Sequence, residues 1–344
     1  MKPFTYQSRQ VEVHFGTGKI KELPALLQAW PRALVIGTER VAAQVQLLQD
    51  ASTSLFWFKE VVQHVPEALV AKALAVCRAE EASVLVAIGG GSAVGLAKAL
   101  ARELRLPIVA VPTTYAGSEM TDIWGITGAN GKVTGKDLAV QPRVVLYDPD
   151  LTLGMRPTLA ASSAMNAMAH LMEGVYAPAG NVLTMHLAAQ GMGVLREGLE
   201  ALASGGKLTP EVNEKLLLGA FMGGKVLGEV PMALHHKAAH TLGGSFGLDH
   251  AGVHTVLQSY VLQFQWPYLD EVVRRMFVES LGSESPWLVL QDLARMNGLP
   301  TQLRSVGLAE SQIAEAAAIM SKAPYPNPAP LTEEGLRLLL KAAY

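Results

Sequence analysis

Cysteine is almost absent from this 344-residue chain, which has Cys77 and no other. A single thiol excludes an intramolecular disulfide framework and fits a reducing compartment. Cys77 follows the apolar run Ala73-Leu74-Ala75-Val76, so it is expected as a small buried hydrophobe rather than a nucleophile. Charge is also scarce: 17% of residues are charged and the formal net charge is -2. That balance gives no reason to expect nucleic acid or a membrane surface as a partner. No apolar run reaches the roughly 18 residues needed to span a bilayer. Met1 to Tyr6 lacks the apolar core of a signal peptide. The expectation is a soluble, cytoplasmic protein.

What the chain has in quantity is apolar residues, 50%, and glycine, 32 residues. Its length suits two domains, expected at 1–156 and 157–344. In the first, Ala33–Ile36, Ser54–Phe58, Val84–Ile88, Ile108–Val111 and Val144–Tyr147 are short apolar runs that read as buried parallel strands. Helical spacing over Glu67–Glu80 and Ala93–Leu104 alternates with them. The fold class is therefore α/β: an N-terminal doubly wound, Rossmann-like domain. Gly128-Ala129-Asn130-Gly131 predicts a hairpin between residues 122–127 and 132–136. From about Pro157 the pattern is helical, over Leu159–Tyr176, Val182–Ala203, Pro210–Leu227 and Met232–Leu242, which makes the second domain all-α. The proline-rich stretch Ala323–Pro330 reads as an extended connection.

Two patterns carry chemistry. Gly89, Gly90, Gly91 and Ser92 sit between a strand and a helix, where glycine lets backbone approach an anion and free N–H groups bind phosphate. Ser92 would cap the helix or donate to the phosphate; a plain tight turn stays open as the alternative. Thr113 and Thr114 end the next strand and Ser118 follows, the place where open α/β sheets collect ligands; a helix-capping loop is the equal alternative. The second pattern is a histidine cluster: His235, His236, His240, His250 and His254. His236 and His240 share a helix face, as do Asn166 and His170 on an earlier helix, with Glu173 three residues further on. His250 is expected in a loop after Gly243-Gly244. Together these residues read as an active site.

These motifs resemble the iron-containing alcohol dehydrogenase superfamily over nearly the whole chain, and within it the maleylacetate reductases. The match includes Pro112–Thr121, Leu234–His240, Tyr147-Asp148-Pro149 and Phe15-Gly16-Thr17-Gly18. The resemblance implies a dehydroquinate synthase-like fold and an oxidoreductase using NADH or NADPH. Gly89–Ser92, Thr113, Thr114, Ser118, Thr38 and Lys132 would hold the dinucleotide, with Glu39 available to the ribose 2′-hydroxyl; Lys132 reads equally as a surface lysine. His236, His240, His250, Asn166 and His170 would be catalytic. His170, His236 and His250 fall on the family's metal-ligand positions, but Asn166 stands where the family has aspartate. An amide offers a metal only a dipole, so no metal is expected; were one present, those three histidines would hold it. The implied reaction is reduction of the conjugated double bond of maleylacetate to 3-oxoadipate, in the breakdown of aromatic compounds. The partner would be an unsaturated oxo-dicarboxylate, with Lys237 or protonated histidines as candidates for its charge, Lys237 reading equally as a solvated surface lysine, and the assembly a homodimer. A metal-dependent alcohol or aldehyde dehydrogenase, and a repurposed non-redox relative, remain as alternatives. The stretch Asp249–His254, followed by Gln258-Ser259, departs from the subfamily's usual Pro-His-Ala turn.

Overall fold

The computed structural model describes residues 3–7, 10–129, 131–322 and 325–344. Asn130, central to the hairpin signal, lies outside the described residues, as do Met1, Lys2, Ala323 and Pro324. The chain divides into two units, one formed by Tyr6–Gly154 and the other built on Met155–Tyr344.

In the first unit six strands make one sheet: β1 (Glu12–Phe15), β2 (Ala33–Ile36), β3 (Leu55–Phe58), β4 (Val84–Gly89), β5 (Ile108–Pro112) and, after a hairpin, β8 (Val144–Tyr147). Their order is β1-β8-β5-β4-β2-β3, and every pairing is parallel. The central strands β2, β5 and β8 are buried throughout, and β4 up to Gly89, which is why their sequences are continuous apolar runs rather than alternating ones. Helices α1 (Leu23–Leu26), α2 (Ala42–Asp50), α3 (Glu67–Ala79) and α4 (Gly91–Leu104) connect them. Cys77 on α3 is 2% exposed, and burial pushes its thiol up to about 11, as befits a core residue.

Because β2 leads to β3 on one side and β4 lies on the other, strand order reverses between β2 and β4. Beyond the carboxyl ends of these two strands is the crevice where such sheets bind ligands. The hairpin β6 (Ile123–Gly128) and β7 (Gly131–Lys136) pairs antiparallel with Gly128 opposite Gly131. β1 was not visible as a run; it is a half-buried edge strand on β8. Two of the motifs behind the family resemblance meet there. Gly16 N donates to Tyr147 O at 3.0 Å. The Asp148 carboxylate accepts from Gly18 N at 3.1 Å and Ile20 N at 2.9 Å.

The second unit is helical: α5 (Pro157–Tyr176), α6 (Val182–Gly205), α7 (Pro210–Glu229), α8 (Leu234–Phe246), α9 (His250–Gln265), α10 (Glu271–Leu281), α11 (Pro286–Met296), α12 (Ile313–Ser321) and α13 (Glu333–Ala343). α5 is its axis, buried continuously from Ala167 to Tyr176. A helix apolar on all sides must be enclosed by others. Among the described residues no single helix is long and apolar enough to cross a membrane.

Candidate active site

The glycine turn of the first unit follows from its spacing. β4 ends at Gly89, Gly90 is the N-cap, and α4 begins at Gly91. No side chain caps this helix, so Ser92 lies inside the first turn and not at the cap expected of it. A Cβ on Gly90 would lie 2.9 Å from Thr114 Oγ1 and 3.1 Å from its Cγ2. Thr113 N donates to Gly89 O at 3.0 Å, joining the turn to the end of β5. The turn, Thr113 and Thr114 are thus one structure. Thr38 is exposed at the end of β2 and starts the 3-10 turn Glu39–Val41. Glu39 pairs with Lys59 at 2.8 Å. Lys132 is exposed on β7, opposite Thr127.

Lys98 on α4 organises the loop after β5 and was not singled out by its sequence. It is fully buried. Its Nζ donates to the carbonyls of Ser118 (2.6 Å), Thr121 (2.7 Å) and Ile123 (2.9 Å) and to Thr121 Oγ1 (2.9 Å). Beside Ser118, the buried Glu119 accepts from Tyr147 OH at 2.8 Å; burial raises its pKa, against the pull of Tyr147 and Lys98. With no side-chain cap on α4 and no Cβ at Gly90, the first turn of this helix can receive an anion.

The histidine cluster lies in the helical unit. α5 carries Asn166, His170 and Glu173 at helical spacing, α8 carries His235, His236 and His240, and α9 carries His250 and His254. The His170 and His236 rings stack with centroids 5.0 Å apart. His235 Nε2 and His254 Nδ1 are 3.0 Å apart. From His254 the rings continue to His250 at 4.4 Å and from there to His240 at 5.8 Å. His170, His235, His236 and His254 are buried, His240 and His250 are exposed, and Asn166 is half-buried. His250 is not in a loop: it opens α9, whose N-cap Asp249 accepts from Gly252 N at 2.7 Å. α8 runs through Gly243-Gly244 to Phe246. Of the departures from the subfamily pattern, Gln258 ties α9 to α5 by donating to Met165 O at 2.8 Å.

Glu173 organises the cluster. Its Oε1 accepts from His235 N at 2.7 Å and Tyr176 OH at 2.9 Å. Its Oε2 accepts from His236 N at 3.3 Å and meets His236 Nδ1 at 2.6 Å. Burial raises the Glu173 pKa, while His235, Tyr176 and the backbone N–H groups lower it again. Burial and then Glu173 hold the Tyr176 phenol protonated. With a backbone donor on each oxygen and the Tyr176 phenol on Oε1, Glu173 acts as the acceptor, which assigns the His236 proton to Nδ1 and a lone pair to Nε2. Burial pushes His235 and His236 down to about 3, and His170 and His254 well below their ordinary value, so all four rings are neutral. His236 Nε2, His170 Nδ1 and His235 Nδ1 are buried with no hydrogen-bond partner among the described residues.

Among the described residues no three His, Cys, Asp or Glu side chains are grouped to hold a divalent metal, and the position of the family's aspartate is an amide, Asn166. Glu173 could be noticed in the sequence only by its spacing from His170. Its partner Tyr176 gave no local signal.

The family profile described as iron-containing alcohol dehydrogenase matches residues 10–149, and its C-terminal counterpart matches residues 160–344. The maleylacetate reductase of Sphingobium indicum is 41% identical over 345 residues, covering 99% of this chain and 97% of its own. That of Burkholderia cepacia is 40% identical, covering 100% and 98%. The crystal structure of maleylacetate reductase from Rhizobium sp. strain MTP-10005 superimposes with a TM-score of 0.95 at 32% identity, covering 100% and 99%. On these matches the chain is an oxidoreductase and belongs to the iron-containing alcohol dehydrogenase family, with maleylacetate reductases among its full-length relatives.

Proposed function

We propose that the protein reduces the conjugated carbon–carbon double bond of maleylacetate to give 3-oxoadipate, and that it does so without a metal. What supports this reading is full-length kinship with maleylacetate reductases in a chain whose histidine cluster carries Asn166 in place of an acid. Gly89, Gly90, Gly91, Ser92, Thr113, Thr114 and Ser118 would hold the dinucleotide, with Thr38 at its adenosine end and Lys132 near its ribose. When bound, the reduced nicotinamide supplies the hydride that goes to the carbon β to the ketone. The ketone oxygen then takes up negative charge and needs donors aimed at it. The Nδ1 proton of His236 is committed to Glu173, so that ring offers an acceptor. The developing enolate is left to the Asn166 amide, which donates where an ionised aspartate cannot, and to N–H groups of His240 and His250. A proton from the same set completes the α carbon, which balances hydride and proton across the former double bond. His170, stacked on His236, fixes that ring's attitude.

Glu39, close to Thr38, would oppose a 2′-phosphate, so NADH is the preferred reductant. We place the protein in the cytoplasm, where its thiol stays reduced, as a homodimer that light scattering would register at twice the chain mass. The deciding experiment follows NADH and NADPH absorbance with maleylacetate, with and without a strong chelator. Turnover is expected with NADH ahead of NADPH and unchanged by the chelator. Activity lost on chelation and restored by a divalent cation would overturn the metal-free mechanism. Absence of turnover in protein that still binds NADH would overturn the substrate.

A further inference from the structure

The segment after residue 324 is fastened to the entrance of α8. Gln265, fully buried, and Asn327 exchange reciprocal amide hydrogen bonds of 2.6 and 3.1 Å. Asn327 Nδ2 also donates to Ala329 O at 2.8 Å, and Ala329 N donates to Gln265 Oε1 at 3.0 Å. Asn327 Oδ1 accepts from Leu234 N at 3.3 Å, supplying from a distance the cap that Ala233 cannot give. This clamp ties the chain, two residues after Tyr325, to the start of α8, the helix that carries Lys237.

Tyr325 is placed as a donor awaiting an acceptor. Its hydroxyl oxygen is buried and has no hydrogen-bond partner among the described residues. Burial, and then the charge of Glu173, keep its proton on. Lys237 Nζ lies 5.8 Å from the centre of its ring. A buried hydroxyl is seldom left unpaired, and a phenol whose ring lies near an ammonium brings a hydrogen-bond donor and a positive charge to one place. The ligand chemistry that matches is a carboxylate.

We propose that Tyr325 and Lys237 together bind one carboxylate of the substrate, and so set the enzyme's preference for a dicarboxylate. The inference rests on the reaction proposed above. The test compares wild type with Tyr325→Phe and Lys237→Met. Substrates are maleylacetate and two truncated enones, one with methyl in place of the carboxymethyl group and one with hydrogen in place of the alkene carboxylate. Each variant should raise KM for maleylacetate about tenfold or more, with kcat within about threefold and NADH affinity unchanged. The rise should vanish for the truncated substrate that lacks the bound carboxylate. An unchanged KM in both variants overturns the proposal, as does a KM rise of equal size for all three substrates. Wild type that binds NADH yet does not reduce maleylacetate overturns the parent reaction, and this assignment with it.

Discussion

Acidification is the perturbation to which the helical unit should respond most steeply. His170, His235, His236 and His254 are 4%, 0%, 8% and 1% exposed, and burial depresses the pKa of each. In the unfolded chain each returns to about 6.5. The folded pKa thus lies below the unfolded one, and between about pH 6.5 and about pH 3 the unfolded chain binds more protons. Stability is fully present above that window and falls as pH drops into it. Each ring contributes a slope of at most roughly 1.4 kcal/mol per pH unit. Taken from about pH 7.5 to about pH 5.5, four rings remove roughly 5 kcal/mol, against a total of roughly 5–15 kcal/mol for a typical domain. Urea unfolding followed by far-ultraviolet circular dichroism across this range gives the linked proton number as the slope of stability against pH. The expected value approaches four protons at the acid end, and His254→Asn should lower it by about one. Stability that stays flat, or a slope below about one proton, would refute the claim that these rings are buried and neutral.

Two further substitutions probe the dinucleotide unit. Gly90→Ala drives a methyl to 2.9 Å from Thr114 Oγ1 and fills the space beside the turn. NADH affinity, read by fluorescence titration, should weaken about tenfold or more with little change in the unfolding midpoint, and an unchanged Kd would remove the turn from the cofactor site. Lys98→Met strips the donor from three carbonyls and a hydroxyl held by one buried ammonium. A loss of about 3 kcal/mol or more in stability is expected, together with weaker NADH binding as the loop carrying Thr113 and Ser118 loosens. A loss under about 1 kcal/mol would mean that Lys98 does not hold the loop.

The central strands were legible because burial on both faces leaves nothing but apolar residues, as in Val84–Ile88 and Ile108–Val111. β1 was not, because Glu12-Val13-His14-Phe15 is short and mixed; its strand character comes from β8 and from Asp148. Gly243-Gly244 read as a break, yet α8 continues because Thr241 and Leu242 are packed in the core and tertiary contact outweighs the roughly 1 kcal/mol that each glycine costs. The histidines could be found by counting, since five of them crowd one window. Glu173 as their common partner could not, because it sits 62 residues from His235 and only folding brings them together. Tyr325 and the Gln265–Asn327 clamp are hidden for the same reason.

The amide at Asn166 and the carboxylate of Glu173 explain one another electrostatically. Glu173 is a buried anion in the cluster, and its charge is met by the N-terminal turn of α8, whose His235 and His236 N–H groups it accepts, and by the His236 ring. The neighbouring imidazoles are neutral and bring no positive charge of their own. A second carboxylate one helical turn before His170 would need a cation beside it, since an unpaired ion away from water is far costlier than a neutral amide. On the metal-free reading proposed above, aspartate at that position would belong to a site that holds a divalent metal, and asparagine to one that does not. On the same reading the substitution turns an acceptor into a donor where charge would develop on the substrate, so the change that weakens metal binding would supply part of the chemistry that a metal would otherwise provide.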